Sequence, residues 1–422
     1  MLIMDFLKEY LNLDDSLINL AKEAEDEVRE EFLKIEGTAQ KNQAKVLAAF
    51  RRHRVSEAHF AYTTGYGYGD LGRDTLDEIY AEVFGAEDAL VRHNIISGTH
   101  ALTLALFGVL RPGDTLLAPA GKPYDTLDSV IGITPCDGSL ADFGVNYEQI
   151  DLQNGEINFE KINEALEEKK IKACLIQRSK GYDWRESLNI QRLAELIAFI
   201  KRISPETICI VDNCYGEFVE DMEPTEVGAD LIVGSLIKNP GGGLAHTGGY
   251  IAGKRDLIEK IAYRHTSPGI GKEAGCSLGQ NRLMYQGFFM APHTVSQSVK
   301  AAVFASALLK KLGFTVLPGP KELRTDIIQA VKFNDKETLI KFCQGIQHAS
   351  PVDSYVTPMP WGMPGYNDEV IMAAGTFIAG ASIELSADAP IREPYICYLQ
   401  GGLTYESAKI QILNAVKESL MK

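Results

Sequence analysis

The chain has 422 residues, 45% of them hydrophobic and 23% charged, and carries a formal net charge of -15 with a pI near 5.1. This is the composition of an ordinary soluble globular protein, long enough for one large domain and a smaller one; its acidic balance excludes the basic face that a nucleic-acid partner requires. No apolar run is long enough to span a bilayer, and Met1–Phe6 lacks the basic and apolar regions of a signal peptide. Seven cysteines, with no Cys-x-x-Cys and no Cys/His cluster of zinc-ligand spacing, read as reduced, mostly buried thiols of a cytoplasmic protein.

Residues 5–52 are helical in pattern and highly charged, with Asp15 or Ser16 as the cap of a helix running through Ala21–Glu25. Such an arm has too little apolar surface to fold alone, so it is expected to lie across the main domain or a neighbouring subunit. A Tyr/Gly-rich stretch, Tyr62-Thr63-Thr64-Gly65-Tyr66-Gly67-Tyr68-Gly69, reads as a binding loop. A helix at 74–84 and a strand at 88–92 follow, then Ser97-Gly98-Thr99-His100 and a helix at 100–110. Short apolar strands are predicted at 115–118, 173–177, 208–212, 231–234 and 249–252, with helical stretches between several of them. Alternation of this kind predicts an α/β fold with a mostly parallel sheet. A long helix at 298–312 is expected to join this part to a smaller C-terminal α+β domain with strands near 326–333 and 381–385 and a last helix at 404–421. The resulting division is an arm at 1–60, a large domain at 61–300 and a small domain at 301–422.

Asp212 ends the apolar run Ile208-Cys209-Ile210-Val211, and Lys238 follows the run Leu231-Ile232-Val233-Gly234 by four residues. Both runs read as buried parallel strands, and ligands of open α/β sheets bind beyond the carboxyl ends of such strands. A lysine to form a Schiff base and a carboxylate to pair with a pyridinium nitrogen are what pyridoxal 5'-phosphate (PLP) needs. Ser235, three residues before Lys238, can face the same cofactor from a tight turn, Ser on phosphate and Lys on aldehyde. Gly241-Gly242-Gly243 and Gly248-Gly249 suit a backbone passing close to a ring. Ser97-Gly98-Thr99 before a helix would present backbone N–H groups and a dipole to an anion. Each motif also has a plain reading: an exposed lysine before a Pro-Gly loop, a carboxylate in a turn, an ordinary helix cap. Their joint occurrence favours the cofactor site.

Taken with Tyr66 and Tyr124, these residues resemble the Cys/Met-metabolism group of fold-type-I PLP enzymes, which includes cystathionine lyases and methionine γ-lyase. The pattern is similar in particular to the aluminium-resistance or methionine γ-lyase-like branch, through Thr64-Gly65-Tyr66-Gly67-Tyr68, Ile95-Ile96-Ser97-Gly98-Thr99-His100-Ala101 and Gln400-Gly401-Gly402-Leu403-Thr404-Tyr405. The resemblance covers residues 55 to 415. It implies a large domain with a seven-stranded sheet, and PLP held by Ser97, Gly98, Thr99, Tyr124, Asp212, Ser235 and Lys238. It implies a homodimer or homotetramer in which Tyr66, with Tyr68 in the same loop, reaches the phosphate of a neighbouring subunit. Tyr124 would stack on the ring and help proton transfer. Gln177 or Arg178 would touch the ring hydroxyl, with the choice between them open, and Arg178 would then be a cofactor ligand. Arg392 would clamp the substrate carboxylate, with Arg282 as rival. The chain departs from better-known lyases in carrying Tyr66-Gly67-Tyr68 where they have Tyr-x-Arg, so the missing charge comes from Arg73 or is absent. Asp125 stands where relatives have small residues, which would change the leaving group tolerated.

The function implied is a PLP-dependent carbon–sulfur lyase, of the cystathionine β/γ-lyase or methionine γ-lyase kind, converting a sulfur amino acid to a 2-oxo acid, ammonia and a thiol. Lys238, Tyr124 and Asp212 would be the catalytic groups. The alternatives are γ-replacement or aldol-type chemistry at the same site, or a non-catalytic PLP-fold protein in metal tolerance.

Overall fold

A computed structural model describes residues 12–363, 366 and 368–420. The arm before residue 12, and residue 421 of the predicted last helix, lie outside the described residues. The arm is two helices, Asp15–Glu27 and Arg29–Arg52. Its cap is Asp14, not Asp15 or Ser16. An N-cap oxygen must reach an N–H three residues on; Asp14 accepts from Leu17 N at 2.8 Å, while the Ser16 hydroxyl donates to Asp14 itself at 2.7 Å. The arm lies across the main body of its own chain. Asn42 Nδ2 donates to the carbonyls of Phe218 and Glu220 at 3.1 and 3.0 Å, and the Tyr405 hydroxyl donates to Glu25 at 2.7 Å.

The large sheet has strands β1 (Asp88–Arg92), β2 (Thr115–Ala118), β3 (Asn146–Gln149), β4 (Ile171–Gln177), β5 (Ile208–Asp212), β6 (Leu231–Ser235) and β7 (Gly249–Gly253), in the order β1-β7-β6-β5-β4-β2-β3. It is parallel except for β7, which is antiparallel to both β1 and β6. The fold is therefore α/β with a mostly parallel seven-stranded sheet. The seventh strand, β3, escapes a search for apolar runs because Asn-Tyr-Glu-Gln is an edge strand with no fully buried residue. The central strands are mostly apolar, up to the polar residues at their carboxyl ends, because both faces are covered. Leu175, Ile210 and Val233 face a core shared with Leu102, Leu106 and Ile258. Cys174, Val211 and Ile232 face the other, shared with Leu76, Leu193 and Phe288.

One helix, Asn281–Lys311, runs unbroken past the predicted boundary at 300/301 and begins well before the predicted start at 298. Its first turns carry Arg282, Gln286 and His293, which hide its apolar face from a simple reading of the sequence. Beyond it lies a six-stranded antiparallel sheet of β8 (Thr315–Leu317), β9 (Ile328–Lys332), β10 (Trp361–Gly362), β11 (Glu369–Ala373), β12 (Ser386–Pro390) and β13 (Ile396–Gln400), in the order β10-β11-β12-β13-β9-β8. The predicted strand at 381–385 is instead a turn. Its Ala-Ser-Ile-Glu-Leu alternation is real, since Ile383 and Leu385 reach the core. But Glu384 bonds the N–H groups of Phe377 and Ile378, both at 2.9 Å, instead of facing solvent from a sheet. The strand follows as Ser-Ala-Asp-Ala-Pro. Ala387 and Ala389 enter the core, which leaves Ser386 and Asp388 on the opposite face by the two-residue period of a strand.

Candidate active site

The carboxyl ends of β4, β5 and β6 lie side by side, with Gln177 in register with Asp212 and Asp212 with Val233. Beyond them is a cavity of about 250 Å³ lined by Ser97, Gly98, Thr99, Tyr124, Asp212, Ser235 and Lys238. Seven of the residues singled out in the sequence thus converge on one space.

Asp212 is buried, and its Oδ1 accepts from Cys214 N at 3.1 Å. Burial raises its carboxyl above the ordinary carboxylate value, opposed by the nearby Lys238 ammonium and the Cys214 N–H. The Lys238 Nζ lies 4.0 Å from the centre of the Tyr215 ring, a cation–π geometry. Burial works against its charge, yet Cys214, Tyr215, Asp212 and Glu217 outweigh that and hold the ammonium above its ordinary value. Tyr215 itself has φ +74°, a left-handed conformation that costs an aromatic residue on the order of 1–3 kcal/mol. Its position under the Lys238 amine is therefore held by the surrounding structure rather than by local preference.

Ser97 caps the helix Gly98–Val109, accepting from His100 N at 3.0 Å. This is the ordinary cap of the plain reading, and it leaves the first N–H groups, Gly98 and Thr99, on the cavity wall. A Cβ at Gly98 would sit 3.4 Å from Cys214 Sγ and 3.6 Å from Ser235 Cβ, so a side chain there would fill the space between helix and strand. Thr99 Oγ1 and Thr126 Oγ1 are hydrogen-bonded at 2.8 Å. The Tyr124 hydroxyl meets that of Tyr366 at 2.9 Å. Burial pushes the Tyr124 phenol well above its usual value, so it is neutral near pH 7.

Other expected residues lie elsewhere. Arg178 directly follows β4 and is fully buried. Its guanidinium donates to Asn213 Oδ1 and Glu220 Oε2, both at 2.7 Å, and lies 3.5 Å from Glu223. It is no cavity residue; it closes a buried ion network beneath the loop after β5. Of the pair left open, Gln177 shares the face of Asp212, and its Oε1 has no partner among the described residues. Arg73 is likewise committed, donating to the Gly67 and Gly275 carbonyls at 2.6 and 2.8 Å, so it holds the tyrosine loop rather than presenting a charge to an anion. Tyr66 and Tyr68 stack with ring centres 5.6 Å apart, are 78% and 63% exposed, and do not line the cavity. Asp125 is paired with Lys122 at 3.0 Å, outside the cavity. Arg392 sits beside the mouth, bonded to Asp368 at 2.8 Å, in a recess it shares with Tyr124, Lys122 and Lys180. Arg282 lies over Phe60, 5.4 Å from its ring centre, away from the cavity. The glycine run after Lys238 does not approach the cavity ring space either. A Cβ on Gly242 would strike the Gly287 carbonyl of the long helix, and one on Gly241 the Leu236 carbonyl.

The cavity also contains residues that sequence reading missed: Tyr182, Tyr215, Tyr366, Ser382, Ser386, Asp388 and Gln400. For Ser386 and Asp388 the small-residue alternation of β12 was a usable signal. For Tyr182 and Tyr366, both in loops, there was none.

Two consequences for stability follow. Arg178→Ala would leave Glu220 and Glu223 facing an uncompensated cavity, a change that costs about 3–5 kcal/mol when one partner of a buried pair is lost. Its melting transition is expected to fall steeply, and an unchanged one would refute the network. Glu217, fully buried below Lys238, accepts from the Tyr250 hydroxyl at 2.8 Å, and burial pushes its carboxyl from 4.5 up to about 8. Between those values the folded state keeps a proton that the unfolded chain has lost, so stability falls as pH rises through that window, by at most about 1.4 kcal/mol per pH unit. Glu217→Gln cannot ionise. It is expected to gain on the native chain in urea midpoint from pH 5 to pH 8, and parallel pH profiles would refute this.

The architecture is that of the fold-type-I PLP-dependent enzymes. A PLP-dependent protein of Escherichia coli superposes with a TM-score of 0.61 at 17% identity, over 90% of this chain and 96% of that one, a likeness of fold alone. The chain belongs to the methionine gamma-lyase family, whose model matches residues 17–420. An uncharacterized protein of Bacillus subtilis (strain 168) is 56% identical over 405 residues, 95% of this chain and 96% of its own. A crystal structure from Clostridium novyi NT, named a carbon-sulfur lyase involved in aluminum resistance, has a TM-score of 0.94 at 52% identity and 98% coverage of both chains. One from Clostridium acetobutylicum, provisionally named a cystathionine beta-lyase involved in aluminum resistance, has a TM-score of 0.96 at 51% identity, again over 98% of both. Among the described residues no helix is long and apolar enough to cross a membrane.

Proposed function

We propose that the protein is a PLP-dependent carbon–sulfur lyase that eliminates a thiol from a sulfur amino acid, leaving a 2-oxo acid and ammonia. The observation that carries this is the delivery of Asp212 and Lys238 to one cavity from the ends of neighbouring parallel strands. The family and the names of the two clostridial relatives support the reaction class.

The residues present fit PLP. The Gly98 and Thr99 N–H groups and the Ser235 hydroxyl suit a phosphate. The buried Asp212 suits a protonated ring nitrogen, and Gly98 leaves the room between helix and strand that a side chain would fill. When bound, PLP supplies an electron sink for charge at the substrate Cα. The chain's own groups do the rest. Lys238 takes the proton from Cα as general base. Asp212, shut off from water, keeps its negative charge against the ring nitrogen. Tyr124 forms a wall over the ring space, and its neutral hydroxyl, bonded to Tyr366, can pass a proton to the departing sulfur.

The assembly this reading calls for is a homodimer or homotetramer, since the exposed, stacked Tyr66 and Tyr68 need a second copy to meet a phosphate. A protein that sediments as a monomer while turning over at full rate would refute that. The lyase reading is tested by the absorption spectrum of the purified protein on adding L-cystathionine, L-methionine and L-cysteine in turn. A visible band that borohydride removes, shifting with one of these as a 2-oxo acid accumulates, is the expected result. No band after incubation with PLP would reject it in favour of a non-catalytic, binding role.

A further inference from the structure

Among the described residues lining the cavity there are two carboxylates, Asp212 and Asp388, one ammonium, Lys238, and no guanidinium. Asp212 and Lys238 have tasks in the reading above. Asp388 has none. It stands on β12, across the cavity from the large sheet, in register with Met372 of β11 and Tyr398 of β13. Its Oδ2 accepts from Gln400 Nε2 at 2.9 Å and from the Tyr182 hydroxyl at 3.3 Å. Those two donors fix the plane of the carboxyl group, and no hydrogen bond within the described residues engages Oδ1. Tyr182 is itself held by Tyr398, whose hydroxyl donates to the Tyr182 carbonyl at 2.6 Å.

An ionised carboxylate enclosed by protein is strongly disfavoured unless a cation meets it. Burial accordingly pushes Asp388 up to about 7, with the Tyr182 and Gln400 hydrogen bonds and the Lys238 charge working the other way. Once the Lys238 amine is engaged in chemistry, no other cation among the described residues of the cavity wall faces Asp388. The substrate's own α-ammonium is at the reacting end, so a partner must come from its far end. Tyr182 and Tyr366, which line the same space, would enclose that end.

We propose that Asp388 is a specificity-determining residue that binds a second ammonium group, carried on the leaving thiol. The substrate class is then sulfur amino acids whose leaving half is itself an amino acid or an aminoalkyl thiol, such as a cystathionine or a lanthionine, in preference to methionine and other S-alkyl substrates. The inference rests on the lyase reading and narrows it. A pocket built to pair a polar group rejects analogues lacking it, because its own charge is then left unpaired.

The test compares two amino acids of matched length without a thiol: L-lysine, with a distal ammonium, and L-norleucine, without one. Their binding to the PLP-loaded protein is measured by calorimetry at neutral pH. The native protein is expected to bind L-lysine at least tenfold more tightly. Asp388→Asn, which keeps the shape and can still accept from Tyr182, should bring that ratio close to one with L-norleucine little changed. Asp388→Glu, which restores the charge, should recover part of the preference and guards against a folding defect in the first variant. In turnover, Asp388→Asn should raise KM for L-cystathionine far more than for L-methionine. A native protein with no preference, or an Asn variant that keeps it, overturns the proposal. So does an equal loss of kcat on both substrates with the binding preference intact, which would make Asp388 a proton donor. A loaded protein that turns over none of L-cystathionine, L-methionine and L-cysteine removes the lyase reading itself, and this inference with it.

Discussion

Lys238→Ala is expected to lower kcat/KM for any sulfur amino acid by at least about 10³-fold, which is about 4 kcal/mol of transition-state stabilisation. The magnitude follows from two losses at once: the amine that would hold the cofactor covalently and the base that would remove the Cα proton. The variant should still fold and still take up PLP. The Gly98 and Thr99 N–H groups, Ser235 and Asp212 all remain in place, and Lys238 makes no hydrogen bond through its side chain among the described residues. What it gives up structurally is the cation–π contact with Tyr215 at 4.0 Å, worth about 0.5–2 kcal/mol, and the positive charge beside the buried Asp212 and Glu217. The measurement is steady-state turnover beside the absorption spectrum. Bound PLP that borohydride no longer fixes to the protein, with turnover gone, is the predicted pair of results. Turnover within tenfold of the native rate would remove Lys238 from both roles.

Asp212→Asn is the second large effect. The isosteric amide keeps the turn, since an oxygen at the Oδ1 position still accepts from Cys214 N, but it removes the negative charge. An electrostatic contact aimed at charge that develops in the transition state is worth about 10²–10³ in rate. A loss of that size in kcat is expected, together with weaker retention of PLP through gel filtration. The environment sharpens the prediction. Asp212 is buried, so the charge it presents is little screened by water. Normal turnover and retention in Asp212→Asn would mean that the carboxylate only shapes the turn after β5.

Much of the site was legible in the sequence because it is local. A strand that ends in Asp212, a strand followed by Ser235 and Lys238, and a capped helix opening with Gly98 each announce themselves through apolar runs and the residues that stop them. Once the sheet is parallel, the ends of those runs must meet at one edge. The errors also have local causes. Arg178 and Gln177 are adjacent, and no pattern in the sequence separates them; register with Asp212 puts Gln177 on that residue's face, where it lines the recess it shares with Arg392 and not the cavity itself. Arg73 is held by the adjacent Asp74 and by the backbone carbonyls of Gly67 and Gly275, and no side-chain pattern reveals those two carbonyls. The glycines at 241 and 242 serve close packing instead of the ring, Gly242 against the Gly287 carbonyl of the helix, 45 residues on, and Gly241 against the Leu236 carbonyl.

The sequence by itself determined the α/β class, the strand ends that carry Asp212 and Lys238, and the helix cap at Ser97, because each depends on neighbours within a few residues. Tertiary structure alone decided that Asp388, Gln400, Tyr182 and Tyr366 would join them, and that Arg178 and Arg282 would not. Those residues are brought to the cavity, or kept from it, by packing between two sheets and a 31-residue helix that links them. Contacts across such separations depend on how whole elements pack, and side-chain direction along a strand reverses with every one-residue shift in register.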